Sequence, residues 1–365
     1  MKFIIEKNQL LGSLSAVSKG MSTRSTMAIL SGVLIIADDS GLTFRTTDLE
    51  ISIQNRITAA VETTGETVVP GRLLTDIIKN LPDAAIVIEQ DGQGLNISCG
   101  NSFFSINTLD PLDYPAFPVV DKEKQVTIEA KNLQQMIKRA IKAVSRDESR
   151  PILKGVLVKI NDGNLSLVAT DSYRLAVIEK QVDNNTDFEL IIPGEMLEEV
   201  AKISSADDIV TITEAENQIM FEVGNSILVS RKIEGTYPNY AALIPTERVL
   251  SAVINTAEFS AAVKRISLAS HPNGPMKMAF DPTNQRLTIS SRTLDKASGS
   301  ESIAAQIDGE YLEIGFNHQY IADGLSAIEE EEVLFETQGT MKAGVIKTKG
   351  EDQFLYLTMP LRVDN

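Results

Sequence analysis

Histidine and cysteine, the side chains that most often hold metals or exchange protons near neutral pH, are scarce in this sequence, so candidate chemistry is sought among its carboxylates and cations. The 365 residues include two histidines, His271 and His318, one cysteine, Cys99, and no tryptophan. Neither histidine belongs to an HExxH motif or a Cys/His cluster of the kind that holds a metal. Each reads as a surface or turn residue. Cys99 alone forms no internal disulfide and no metal cluster, which fits a reducing cytoplasm. No GxxxxGK phosphate loop, no GxGxxG after a strand and no GxSxG elbow occurs. Carboxylates are abundant, and Thr47-Asp48 and Thr170-Asp171 are the pairs with a pattern. Their recurrence at equivalent strand ends reads as a turn or cap role. A paired acid/base site stays open in so acidic a chain, but no motif points to one. The expectation is a non-enzymatic interaction protein without a cofactor or metal.

The cations are more informative. The chain carries a formal net charge of −16, which on average repels a phosphate backbone. Residues 131–150 run against that average. Lys131, Lys138, Arg139, Lys142, Arg146 and Arg150 face only Asp147 and Glu148 there, a net of +4. Leu133, Ile137, Ala140, Ile141 and Val144 recur at helical spacing and predict a buried stripe. Lys138, Arg139, Lys142 and Arg146 then fall on the opposite face. Matching helices carry Lys19 and then Arg24 early in the chain, and Lys264 and Arg265 late in it. Acidic residues concentrate elsewhere, as at residues 329–332. One such face is an ordinary solvated helix surface. Recurrence in three helices favours a locally positive surface for phosphate, without base readout, because aromatic stacking residues are missing from it.

The elements that position these residues come from a repeat. Residues 29–35 read ILSGVLI and residues 152–158 read ILKGVLV, an offset of 152 − 29 = 123. The same offset relates Thr47-Asp48 to Thr170-Asp171, Pro70-Gly71 to Pro193-Gly194, and Tyr114-Pro115 to Tyr237-Pro238. A more diverged third copy follows, in which residues 259–266 echo 133–140 and residues 316–323 echo 69–76. Boundaries near residues 122 and 247 divide the chain into 1–122, 123–247 and 248–365. Within each copy, residues such as 42–46 and 165–169 alternate as half-buried strands. Pro70 and Pro193 suit helix starts. The fold class is α+β, with helices packed on one side of antiparallel strands. No apolar run approaches the roughly 18 residues that span a bilayer, and Glu6 interrupts the N-terminal segment where a signal peptide would be apolar.

With the motifs ILSGVLI…TTDLEISI, VVPGRLL, LDPLDYPAFP, SRPILKGVLV, LVATDSYRLAV, RKIEGTYPNY and YLTMPLRV, the whole chain resembles the bacterial DNA polymerase III β subunit, the family of replicative sliding clamps. The resemblance implies three tandem repeats of the DNA-clamp fold, with helices on the inner face and antiparallel sheets outside. It implies a head-to-tail homodimer closed as a ring around duplex DNA, held without sequence specificity. The implied partners are the polymerase catalytic subunit, clamp-loader subunits, translesion polymerases and other clamp-motif proteins. No membrane partner is implied, and the location is cytoplasmic. Phosphate-facing residues on this reading are Arg24, Lys138, Arg139, Lys142, Arg146, Lys264 and Arg265.

The resemblance further implies a partner-peptide pocket, carried over motif by motif. It comprises Leu153, Thr170, Ser172, Tyr173, Arg174, Leu175, Pro245, Arg248, Val249, Asn317, Tyr320 and Met341, then Leu357, Thr358, Met359, Pro360, Leu361 and Arg362. For Leu153 and Leu175 a plain core role is the alternative. Many relatives have Gly-His where this chain has Ser172-Tyr173, so the pocket's shape and peptide preference are expected to differ. The chain also continues past MPLRV with Asp364-Asn365. Phe104 and Ile106 are expected to meet Leu268 and Ala269 at the dimer contact, where Ala269 is smaller than the usual apolar residue. Two rival readings remain: a repeat-built interaction protein that does not close, and an enzyme with an unrecognised carboxylate site.

Overall fold

The computed structural model describes residues 1–22, 25–121, 124–183, 186–271, 274–293, 296–348 and 353–363. The chain divides into two compact units, residues 1–131 with 199–232, and residues 132–198 with 233–365. Each unit is built from sheets that join one sequence copy to the next.

In the first unit, an eight-stranded antiparallel sheet runs in the order Lys124–Glu129, Ile209–Glu214, Gln218–Val223, Ser226–Arg231, Ile51–Ile57, Gly41–Thr47, Gly32–Asp38 and Gly65–Pro70. Its middle joint pairs Ser226–Arg231 with Ile51–Ile57, placing Ile51 opposite Ser230 and Asn55 opposite Ser226. A five-stranded sheet completes the unit, ordered Ala60–Thr63, Lys2–Glu6, Ala85–Asp91, Gly94–Cys99 and Ser102–Asn107. The second unit repeats the plan. Its nine-stranded sheet joins Arg174–Gln181 to Gln353–Thr358, with Arg174 opposite Thr358 and Ile178 opposite Phe354. Its four-stranded sheet is ordered Ala297–Ala304, Arg286–Thr293, Pro275–Asp281 and Leu312–Asn317.

Six helices are described: α1 (Lys7–Val17), α2 (Gly71–Asn80), α3 (Ala130–Ala140), α4 (Gly194–Ile203), α5 (Thr256–Ser267) and α6 (His318–Leu325). Each follows a strand directly. Pro70 is the N-cap residue of α2. Gly71 follows because a Cβ there would strike the Met21 sulfur and Val33. At the equivalent Gly194 a Cβ would come within 3.0 Å of Ile141 Cδ1 and 3.1 Å of Val144 Cγ1. The Pro-Gly pair therefore combines a helix start with a close approach of backbone to core. α5 shows how a helix here holds its sheet. Asn255 caps it by accepting the Glu258 N–H at 3.0 Å, and Phe259, Ala262, Val263 and Ile266 form the buried face. Lys264 and Arg265 lie in its last turn, where cations suit the helix dipole.

Two expectations change. The strands Gly41–Thr47 and Asn164–Thr170 are buried on both faces rather than half-buried, because loop residues such as Tyr114, Tyr237 and Tyr240 cover the face away from the helices. The helical stripe ending at Val144 is shorter in fact. α3 stops at Ala140, residues 141–143 tighten into a 3₁₀ turn, and Arg146 lies beyond it. Among the described residues, no helix is long and apolar enough to cross a membrane.

Candidate peptide groove and cationic helix face

The Thr-Asp pairs are turn devices. Thr47 Oγ1 accepts the Leu49 N–H at 3.1 Å, and Asp48 Oδ1 accepts those of Glu50 and Ile51 at 3.0 and 2.8 Å. Thr170 Oγ1 accepts the Ser172 N–H at 3.1 Å, and Asp171 Oδ1 accepts those of Tyr173 and Arg174 at 2.9 and 3.0 Å. These bonds hold Leu49 and Ser172 at φ of 76° and 79°, a left-handed conformation unusual for such residues. The second turn lifts Tyr173 into solvent, 58% exposed.

Strand register gathers the other groove residues at that end of the nine-stranded sheet. Thr170 is opposite Leu175, Arg174 opposite Thr358, Thr358 opposite Gly344, Gly344 opposite Thr337, and Thr337 opposite Leu250. The segments leaving this row carry exposed Tyr173, Met359, Met341 and Val249. Beneath them Leu175 and Leu357 join a core cluster with Leu157, Val168, Val177, Ile191 and Val345. Leu153, Thr170 and Thr358 are likewise buried. Pro245, Pro360 and Leu361 are half-buried, and Arg248 and Arg362 are exposed. Arg248 pairs with Glu336, which also accepts Lys347 at 2.7 Å. Those two cations hold the Glu336 carboxyl below its usual range although its burial acts the other way. Asn317 is the N-cap of α6, accepting the Gln319 N–H at 2.9 Å.

The tail after Gln353–Thr358 is fixed in place. Met359 donates to the Tyr173 carbonyl and Leu361 to the Gly315 carbonyl, each at 2.8 Å. A Cβ at Gly315 would sit 2.5 Å from Val363 Cγ2 and 2.9 Å from the Leu361 oxygen, so the tail lies directly on glycine backbone. An apolar floor, exposed side chains around it and ordered backbone at its rim suit an extended, partly hydrophobic peptide. Asp364 and Asn365 lie outside the described residues.

The cations divide into committed and unpaired groups. Lys142 is half-buried, Arg146 and Lys264 are exposed, and none of the three has an ion pair among the described residues. Lys138 instead meets Glu329 at 2.7 Å, and Arg265 Nε meets Glu301 at 2.9 Å. Arg139 is the clear correction. It is only 7% exposed, donates to the Ala327 carbonyl and to Glu330 at 3.2 Å each, and lies 5.4 Å from the Phe354 ring. A guanidinium so placed is a packing element and does not face phosphate. The acidic run at residues 329–332 is thus not remote from the helix cations, since two of its members neutralise them. Lys19 lies past the end of α1 in a short 3₁₀ turn, and Arg24 falls outside the described residues. Sequence reasoning missed Arg72 and Lys79, both exposed and seven residues apart on one face of α2. The spacing used for α3 finds them when applied to α2.

At the expected dimer contact, Leu268 is 86% exposed and Phe104 42%, whereas Ile106 and Ala269 are 4% and 9% exposed. The latter two support their own unit. Phe103, 65% exposed, is the apolar residue overlooked on that strand.

Repeated α+β copies joined through shared sheets, with exposed apolar side chains gathered over a buried cluster at one sheet end, define a clamp-type scaffold. The comparisons with known proteins name it more closely. Residues 1–118, 127–239 and 241–362 match the N-terminal, central and C-terminal domains of the DNA polymerase III beta subunit, and the chain belongs to that family. It is 34% identical to the beta sliding clamp of Bacillus subtilis (strain 168), over 99% of this chain and 100% of the relative. It is 31% identical to that of Synechococcus elongatus, over 100% of both. The crystal structure of the Bacillus subtilis DNA polymerase sliding clamp superposes with a TM-score of 0.92 at 33% identity, covering 100% of both chains. The Pseudomonas aeruginosa clamp, solved bound to griselimycin, gives a TM-score of 0.92 at 27% identity over 100% of both chains.

Proposed function

We propose that two copies of this chain close head to tail into a ring around duplex DNA and tether the replicative polymerase and other clamp-motif proteins to it, with no catalysis of their own. The observation that carries this reading is a matched pair of unused strand edges. Ile51–Ile57 joins Ser226–Arg231 in one sheet, and Arg174–Gln181 joins Gln353–Thr358 in the next. Ala297–Ala304 is the counterpart of Ile51–Ile57 and Arg174–Gln181, at 297 − 174 = 174 − 51 = 123. Ser102–Asn107 is the counterpart of Ser226–Arg231, at 230 − 107 = 123. Both counterparts are terminal strands of their sheets. A second copy can therefore supply the missing half of a joint that the chain already makes twice. Head-to-tail contacts of this sort close into rings or run on as filaments, and closure removes the exposed edges.

The internal joints also fix the expected register. Ile51 opposite Ser230, and Arg174 opposite Thr358, place Ala297 opposite Asn107 of the second copy. Asn55 opposite Ser226 places Glu301 opposite Phe103. Facing residues on paired strands lie within reach of a disulfide. Ala297→Cys with Asn107→Cys is expected to give a covalent dimer under oxidising conditions. Ser298→Cys with Asn107→Cys directs the two thiols to opposite faces and should not. A chain that crosslinks equally in both cases, or in neither, contradicts the register.

Division near residues 122 and 247 follows from the same repeat. Lys142, Arg146, Lys264, Arg72 and Lys79 are the cations proposed to face phosphate, in salt-sensitive contacts that leave the ring able to slide. The groove around Met359 and Tyr173 is proposed to receive the peptide motifs of the polymerase catalytic subunit, clamp-loader subunits and translesion polymerases. The protein is assigned to the cytoplasm, where replication takes place.

A further inference from the structure

Arg174 lies where two sequence copies meet in the groove, and its contacts are unusually complete. Its Nε donates to Asp171 Oδ2 at 2.9 Å, and its Nη1 to Asp323 Oδ2 at 2.5 Å and to the Tyr356 hydroxyl at 3.4 Å. The guanidinium stacks 4.5 Å from the Tyr320 ring centroid. Asp323 belongs to α6, and its other oxygen accepts Gln319 Nε2 at 2.8 Å. Its side chain is 21% exposed and that of Arg174 is 13% exposed. Among the described residues, Nη2 of Arg174 has no hydrogen bond.

The fold does not require this arrangement. At the equivalent joint of the first unit, Ile51 occupies the position of Arg174, buried and paired with Ser230. A partly buried ionic cluster costs desolvation that an apolar residue such as isoleucine avoids. Its presence only at the joint with the groove therefore points to binding.

We propose that Asp323 is a positioning residue of the groove, holding Arg174 and the Tyr320 ring in place so that the Nη2 N–H groups are left for an acceptor on the incoming peptide. The assignment rests on the groove reading above. It also fixes which acceptor is preferred. Two carboxylates, Asp171 and Asp323, already surround the one guanidinium, so a third carboxylate from the peptide meets like charge, whereas a carbonyl or carboxamide oxygen does not.

Fluorescence anisotropy tests this with two labelled peptides derived from the C-terminal tail of the polymerase catalytic subunit. One carries glutamine and the other glutamate at the position facing Arg174. The unsubstituted clamp should bind the glutamine peptide about tenfold more tightly. Asp323→Asn keeps the side-chain volume, and should weaken the glutamine peptide about tenfold while narrowing the preference to about twofold. That narrowing is a ratio within one protein sample, so partial unfolding does not mimic it. Arg174→Lys keeps the charge without the fork, and should also weaken the glutamine peptide. Met359→Ala serves as the groove control. If Met359→Ala weakens binding while Asp323→Asn leaves both affinities unchanged, the role of Asp323 is overturned and the groove stands. If neither variant weakens binding, the groove itself is overturned.

Discussion

Arg139 and Lys142 are three residues apart in one basic run, yet their side chains do different work. Arg139 is buried against Ala327, Glu330 and Phe354, and removing it takes the donor from the Ala327 carbonyl and the paired cation from Glu330. Arg139→Ala is therefore expected to cost about 3 kcal/mol of stability. Lys142→Ala should cost less than about 0.5 kcal/mol. Urea denaturation of the two variants checks both values. Gly315 makes a similar point for backbone, because Gly315→Ala forces the side chain onto Val363 and the Leu361 carbonyl. A loss of about 1–3 kcal/mol is expected, with weaker peptide binding as the tail shifts, read by calorimetry. Tyr114 gives a pH signature. Burial pushes its phenol from 10.0 up to about 12. A raised folded value means its contribution is fully present below pH 10 and fades as pH rises through about 12. Absorbance titration at the phenolate band should show a phenol ionising near pH 12 that is lost in Tyr114→Phe. At this scale sequence reading reached residue types and motif membership but not side-chain partners. Nothing in the spacing of Arg139 announces Glu330, which lies 191 residues away.

Elements were more legible. Pro-Gly helix starts, the strands at residues 42–46 and 165–169, and the Thr-Asp turns all fall where periodicity and turn chemistry put them, because each depends on neighbours within a few residues. What periodicity missed was the cover over the outer sheet face, supplied by Tyr237, Tyr240 and Ile244 from a distant loop. The same limit hides how the two units diverge at this sheet end. At the counterparts of Val168, Leu175 and Val177 it has Arg45, Ser52 and Gln54, and Arg45 Nε bonds Gln54 at 2.8 Å with Phe117 5.4 Å away. That polar pair, with the chain's own aromatic ring beside it, stands where the second unit has apolar side chains. On the cationic faces, reversing charge at Lys142, Arg146 and Lys264 should reduce DNA association and flatten its salt dependence, by about one unit of slope for each phosphate no longer neutralised. The same change at Arg139 should act through stability alone. Nitrocellulose binding at several salt concentrations separates the two outcomes.

At the scale of the molecule, the proposed assembly rests on the repeat and the proposed docking site on its divergence. Two internal joints and one terminal strand of each kind would let the proposed dimer close without any new kind of contact. A mass of twice 39.8 kDa in sedimentation, falling to 39.8 kDa when Ser300→Pro blocks the Ala297–Ala304 edge, is the expected behaviour. The proposed ring closure would hold a chain of net charge −16 on DNA. In the proposed ring, linkage takes the place of affinity, and the unpaired cations need only make weak, salt-sensitive contacts with phosphate. The repeat spacing made this architecture legible from the start, whereas the strands that remain unpaired emerged only from the sheet order. Topological linkage is tested most directly by loading the protein with its clamp loader onto nicked circular DNA and then cutting the circle once. The protein is expected to stay on the intact circle through a high-salt wash and to be lost from the linear product. Equal loss from circle and linear DNA, or retention on linear DNA with free ends, would contradict a closed ring.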